Sequence, residues 1–262
     1  LKFSSCRARS LGMTDVNQLL HARHLEDATS IELVQEVKRR TSCLAQPPKR
    51  MAVIGGPGSG KHTMGTLLRR AFGICHVTPD SVLGPCTEDG HKSMSDREVT
   101  SRIIEVVSAE RCVRGFVLEG FPQTASQAAK LDAVLESRKL PLDHVFHLGV
   151  TTETGQKRLA TRLVHPASGR RYNTETMPSR AGDTKDEVTM EDLSCYVWDK
   201  PEKIEKRQEK YGDTGVKMKE YFEEKRSPKF KNQAAYIPLV ADGSIQDIFA
   251  AISQIARLPR AP

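Results

Sequence analysis

The residues best suited to chemistry form one stretch, Gly55-Gly56-Pro57-Gly58-Ser59-Gly60-Lys61-His62-Thr63. Glycines at this density let the backbone curl so that successive N–H groups face a single anion, and the closing lysine can reach terminal phosphates. An apolar run, Met51-Ala52-Val53-Ile54, precedes the loop and a helical pattern follows it. The helix start brings its positive dipole end to the same spot. The pattern predicts a phosphate site built from Gly56, Gly58, Ser59, Gly60, Lys61, His62 and Thr63. One position is out of pattern: many phosphate loops place a Mg²⁺-binding hydroxyl directly after the lysine, whereas here His62 stands there and Thr63 follows. His62 reads as a space-filling replacement rather than a catalytic base, and its ring bulk is a hazard for a bound phosphate.

Such a loop needs a strand to hold it and helices to cover that strand. Further apolar runs occur at 116–118, 144–148 and 236–240, alternating with helical patterns at 61–72, 96–110, 125–137, 152–163, 200–225 and 245–255. Buried strands alternating with amphipathic helices predict a doubly wound α/β fold with a parallel sheet. Upstream, two short helices are expected at 15–24, opened by Thr14, and 31–40, opened by Ser30. Ile31, Val34 and Val37 recur at helical spacing, so the second is expected to pack on something. Gln46-Pro47-Pro48 then breaks the chain, separating an extension, residues 1–48, from a domain over 49–262.

The 262 residues carry 40 Lys+Arg against 33 Asp+Glu, a formal net charge of +7 that points to an anionic partner. No apolar run approaches the ~18 residues of a membrane span. Aromatic content of 5% argues against a base-stacking RNA reader, and no sequence-specific nucleic-acid motif is present. The six cysteines, 6, 43, 75, 86, 112 and 195, are scattered without a CxxC pair. Reduced thiols are the favoured reading, with pairing across the fold left open. The first fourteen residues hold Lys2, Arg7 and Arg9, three serines and no acid. They read either as the remnant of an organelle transit segment or as a basic terminus. The first reading makes the mitochondrial matrix the expected compartment, with cytoplasm or cilium as alternatives.

Taken with Glu119-Gly120-Phe121-Pro122-Gln123-Thr124, the glycine loop resembles the adenylate kinase family, whose corresponding motifs read GGPGSGKGT and DGFPR. Arg158 to Tyr172 is similar to the family's entry into its ATP-covering lid. Asp186-Glu187-Val188-Thr189 and the stretch from Asp199-Lys200-Pro201-Glu202 to Arg207 are similar to its exit. The resemblance implies a P-loop NTPase-type fold with a long lid over about 163–199 and a monophosphate flap over about 78–95. That flap is shorter than the family's. Where zinc-bound lids carry four cysteines, this chain has His165, Ser168, Asp186 and Thr189, implying a zinc-free lid stapled by hydrogen bonds.

By the same resemblance, ATP and Mg²⁺ are the cofactors, and Lys61, Arg158, Arg162 and Arg207 are the residues that carry the chemistry. Arg158 would lie against adenine, Arg162 and Arg207 would reach phosphates, and Thr63 and Glu119 would serve Mg²⁺, the latter through metal-bound water. The acceptor side departs from the family. Its phosphate-gripping arginines fall at Gly84, Gln123 and Tyr196, a contacting threonine at Pro79 and a lid-hinge aspartate at Trp198. None of these supplies a guanidinium fork. AMP binding is therefore doubtful unless another cation such as Arg97 or Arg102 has moved in. The expectation is an adenylate-kinase-like ATP-binding protein with weak or absent phosphoryl transfer, a pseudoenzyme if absent. The alternative is an accessory subunit of a protein or ribonucleoprotein assembly, such as a mitochondrial ribosome or ciliary axoneme.

Overall fold

The computed structural model describes residues 29–83, 95–225 and 234–258. The expected helix at 15–24, Gly84 and most of the expected flap lie outside these residues. Within them, α1 (Ser30–Leu44) is followed by β1 (Lys49–Gly55), α2 (Lys61–Phe72), β2 (Cys75–Val77), α3 (Pro79–Leu83) and α4 (Asp96–Ser108). Then come a 3-10 turn (Glu110–Cys112), β3 (Gly115–Glu119), α5 (Ala125–Ser137), β4 (His144–Gly149) and α6 (Thr152–Ala160). Three short strands, β5 (Arg162–Val164), β6 (Arg171–Asn173) and β7 (Ser194–Cys195), precede a second 3-10 turn (Val197–Asp199). The chain ends in α7 (Pro201–Lys225), β8 (Ala235–Val240) and α8 (Ile245–Arg257).

The central sheet has five parallel strands in the order β2-β3-β1-β4-β8. Its strands are apolar because both faces are covered. On one face Ala52, Ile54, Leu118 and Val145 pack with Ile103, Leu131, Met218 and Phe222 of α4, α5 and α7. On the other, Met51, Val53, Val117 and Phe146 pack with Leu67, Leu68, Phe249 and Ile252 of α2 and α8. The doubly wound expectation is met. The three-residue β2 carries too short a pattern to stand out in the sequence, yet it forms the sheet edge.

Four local expectations need correction. The helix expected over 152–163 ends at Ala160, because Leu163 pairs antiparallel with both Tyr172 and Cys195 in a second sheet, β6-β5-β7. The helix expected over 96–110 stops at Ser108, where Ala109 takes extended backbone angles before the 3-10 turn. Upstream, α1 is capped by Thr29 with Glu32 in a reciprocal capping box and runs on to Leu44. Its apolar positions do not pack as expected: Ile31, Val34 and Val37 are 70%, 52% and 63% exposed. The helix is tied down at its other end, where Cys43 is buried against α2 and Arg39 donates to the Arg70 carbonyl. Finally, Cys75 and Cys112 form a disulfide, against the favoured reading of reduced thiols. The parallel pairing of Cys75 with Phe116 brings the 3-10 turn that precedes β3 to within 5.3 Å of β2 between Cα atoms, a proximity that 37 residues of sequence conceal.

Candidate phosphate-binding site

The glycine loop leaves β1 at the carboxyl edge of the sheet, between neighbours β3 and β4. Open α/β sheets place ligand crevices at this edge. Two glycines are required by geometry. Gly58 has φ +77°, and a Cβ there would come within 2.4 Å of the Gly155 carbonyl on α6. Gly60, at φ +82°, caps α2, and a Cβ there would meet nothing within 4 Å, so the loop is open at the helix start. Inside the curl, Ser59 donates its N–H to the Gly56 carbonyl, while its buried hydroxyl has no hydrogen-bond partner.

Lys61 folds back over the loop, and its ammonium donates to the Gly56 carbonyl at 3.0 Å. Burial drops its pKa to about 8, helped by Arg207, Arg162 and Arg171, with Glu119 pulling the other way. Four cations thus gather about one loop, facing two buried carboxylates, Glu119 and Asp199, and the exposed Asp80 at the outer edge. The open, glycine-lined helix start, the orphaned Ser59 hydroxyl and the cation surplus fit a polyphosphate.

The second sheet carries the arginines. Arg162, at the start of β5, forms a two-pronged pair with Asp199, 2.6 Å on each arm. Arg207 on α7 reaches the same carboxylate at 3.4 Å and the Trp198 carbonyl at 3.0 Å. Asp199 is 4% exposed, so both arginines are held by one desolvated anion. Asp199 stands next to Trp198, the position where the resemblance places a lid-hinge aspartate. Tyr196, which was expected to leave a gap, serves as a platform, with the Arg162 and Arg171 guanidinium groups 4.9 and 5.6 Å from its ring centre. Arg158 sits apart from this group. Its guanidinium donates to the carbonyls of Gly58, Ala241 and Gly243, latching α6 to the loop.

Glu119 ends β3 beside the loop. His62, from the first turn of α2, and His76, from β2, both bond its Oε2 at 2.8 Å. Burial works against the carboxylate, but the two imidazoles outweigh it and hold Glu119 well below the usual carboxylate range. Being ionised it only accepts, so both imidazoles donate. The His62 ring is therefore anchored on Glu119. Thr63 is half-buried on the same turn of α2. The Glu119 carboxylate, expected to orient Mg²⁺-bound water, carries both imidazoles on Oε2. His76 was missed in the sequence: it belongs to no recognisable motif and enters the site through the pairing of β2 with β3. Arg171 and Asp199 lie in the lid-entry and lid-exit stretches, where sequence alone assigned neither a role; β6 brings the first to the site and the 3-10 turn the second.

On the acceptor side, Gln123 is exposed, and its backbone N–H donates to Gln127 Oε1 at 2.8 Å. Arg97 and Arg102 are exposed on α4. The lid quartet is joined by hydrogen bonds, His165 to Ser168 at 2.7 Å and Thr189 to Asp186 at 3.1 Å. Additional partners strengthen it. Arg170 grips Asp186 with two bonds of 2.7 and 2.8 Å, Tyr172 donates to it, and Glu191 meets His165 at 2.6 Å. Among the described residues, no helix is long and apolar enough to cross a membrane.

The adenylate kinase family model matches residues 53–227. The chain is 32% identical to adenylate kinase 4 of Oryza sativa subsp. japonica over 217 residues, covering 78% of this chain and 89% of the relative. It is 34% identical to adenylate kinase 3 of the same plant, covering 66% and 76%. It is 33% identical to the adenylate kinase of Lodderomyces elongisporus, covering 73% and 83%. The loop on the parallel sheet, the arginines on the second sheet and these matches together make the chain a member of the adenylate kinase family.

Proposed function

We propose that this chain binds ATP at the Lys61 loop and transfers phosphoryl groups to a nucleoside monophosphate weakly or not at all. The observation that carries the reading is the cation cluster. Burial lowers the Lys61 pKa to about 8, with Arg207, Arg162 and Arg171 adding to it against Glu119, and a polyanion offsets the repulsion among these cations.

Bound ATP supplies the transferable phosphoryl group, and the chain's residues supply position and charge. Lys61 turns its ammonium from the Gly56 carbonyl to phosphate oxygens. Arg162 and Arg207 exchange part of their pairing with Asp199 for the same oxygens as the second sheet closes. Arg158, already latched to three carbonyls, offers its guanidinium face to the adenine. Turnover is poor because Gln123 and Tyr196 provide no fork for a second phosphate, and each charged hydrogen bond lost costs about 1.5–3 kcal/mol.

Titration with ATP tests the first half and ADP formation from ATP plus AMP the second. The reading expects ATP binding that Lys61→Ala weakens and turnover near that of the Lys61→Ala control. Absence of ATP binding at millimolar concentration refutes the first half; family-like turnover refutes the second. A second reading, an accessory subunit within a larger assembly, is favoured by the exposed Ile31-Val34-Val37 stripe of α1. It predicts co-purification with partner chains that Val34→Glu disrupts.

A further inference from the structure

The cluster at the edge of the phosphate loop has a composition that nucleotide binding does not require. Three elements deliver it: the first turn of α2 brings His62, β2 brings His76 and the end of β3 brings Glu119. Their ligating atoms, His62 Nδ1, His76 Nε2 and a Glu119 carboxylate oxygen, all lie within 4.8 Å of one another. This is the only such trio of histidine, cysteine or acidic side chains among the described residues. His76 and Glu119 are 9% and 7% exposed, whereas His62 is 34% exposed, so the cluster is closed on the protein side and open on the other.

The surroundings keep that arrangement. Gly65, one turn along α2, leaves space that a Cβ would take to within 2.5 Å of His76 Nε2. Glu119 is fixed by the pairing of β3 with β1, and His76 by the pairing of β2 with β3. The two rings tilt by 43° with centroids 5.7 Å apart, directing one nitrogen each at the same oxygen.

We propose that His62 Nδ1, His76 Nε2 and the Glu119 carboxylate form a binding site for a divalent transition-metal ion of the Zn²⁺, Co²⁺, Mn²⁺ and Fe²⁺ class. Two imidazoles and one carboxylate on one side of an ion, with positions left open, are a donor set these ions favour over Mg²⁺. Bonds to nitrogen and oxygen of about 2.0–2.2 Å put neighbouring ligand atoms a little over 3 Å apart, near the 2.8 Å that each ring now keeps from Glu119 Oε2, with the trio already within 4.8 Å. The two N–H groups that now point at Glu119 must give way to lone pairs. A tautomer change does this without losing charge, moving the His62 proton to Nε2 and the His76 proton to Nδ1. Gly120, next to Glu119, lies against the Lys61 side chain, so the ion sits at the border of the phosphate loop. The site stands on these three side chains alone and does not depend on the nucleotide reading.

The test uses the full, untagged chain after chelator treatment, with no nucleotide, titrated with Co²⁺ and followed by visible absorption and thermal melting. Saturation at one Co²⁺ per chain is expected, with displacement by equimolar Zn²⁺ and no displacement by millimolar Mg²⁺. Both His62→Gly and Glu119→Gln should weaken Co²⁺ binding at least about tenfold and remove the metal-induced rise in melting temperature. His62, one-third exposed at 34%, can be removed without opening the core, so His62→Gly tests the site if Glu119→Gln fails to fold. Cys195→Ser removes the exposed thiol and should bind Co²⁺ like the parent. Absence of Co²⁺ binding, equal competition by Mg²⁺, or unchanged binding in His62→Gly overturns the proposal.

Discussion

The region around Lys61 and the region around Gln123 flank the same sheet edge but hold charge differently. At Lys61, four cations from α2, β5, β6 and α7 converge on three carboxylates, Glu119, Asp199 and Asp80. At Gln123, the side chain is in solvent, its backbone N–H donates to Gln127 Oε1, and the Gln127 amide donates in turn to Asp96. A phosphate entering the first region meets preorganised donors; one entering the second must bring order with it. Catalysis of phosphoryl transfer needs both partners held in line, so a protein can keep nucleotide binding while losing turnover.

A parallel contrast separates two carboxylates. Asp186, fully buried in the connection between β6 and β7, is held far below its usual range by the Arg170 fork, with the Thr189 N–H, Tyr172 hydroxyl and Val188 N–H adding to it against burial. Its principal partner never loses its charge, so the staple is permanent. Glu119 is held down by two imidazoles instead, partners that can exchange a proton or a metal for the bond they now make. Similar burial and similar direction of shift thus yield a structural joint in one place and an adjustable site in the other.

The largest expected effect falls on the staple. Asp186→Ala leaves the Arg170 charge without its partner and should cost about 3 kcal/mol, read as a fall in melting temperature. A smaller loss would mean that closure of the second sheet, and hence delivery of Arg162, does not depend on it. Because the folded pKa of Asp186 is depressed, its contribution is present above the ordinary aspartate value of about 3.9 and fades only as pH falls through the lower folded value. The second sheet should therefore stay intact at pH 4, as monitored by Tyr172 and Tyr196 fluorescence.

Lys61→Ala comes next and should weaken ATP binding by about 2 kcal/mol, some thirtyfold, by titration calorimetry. Gln123→Arg tests the other region: one restored guanidinium should raise ADP formation from ATP plus AMP by up to about tenfold, and no change would place the acceptor defect elsewhere. The smallest signal is a proton. With Lys61 near pH 8 in the free chain and raised by a bound polyanion, ATP binding at pH 8 should take up about half a proton. Calorimetry in buffers of different ionisation enthalpy reads this directly, and ATP affinity should fall as pH rises above 8.

Much of this was legible in the sequence, and what was not has a physical cause. The helices at 61–72 and 125–137 match α2 and α5 because periodicity and local caps agree there. The first strand of the second sheet was hidden at the end of an expected helix because Leu163 is committed by partners nine and thirty-two residues away, not by its neighbours. Lys61, His62 and Glu119 could be named from motifs, but His76 could not. It is one histidine in a three-residue strand, and only the pairing of β2 with β3 carries it to Glu119. Asp199 was named in the lid-exit stretch but given no role, because only the fold shows that a 3-10 turn presents it to both arginines.

The most direct measurement compares the affinity for ATP with that for an analogue joining two adenosines through a chain of phosphates long enough to span both half-sites. The unequal regions predict ATP binding that depends on Lys61 and a second head that adds less than about threefold, under 1 kcal/mol. An analogue bound a hundredfold or more tighter than ATP would show that the region around Gln123 grips a second nucleotide, contradicting the account.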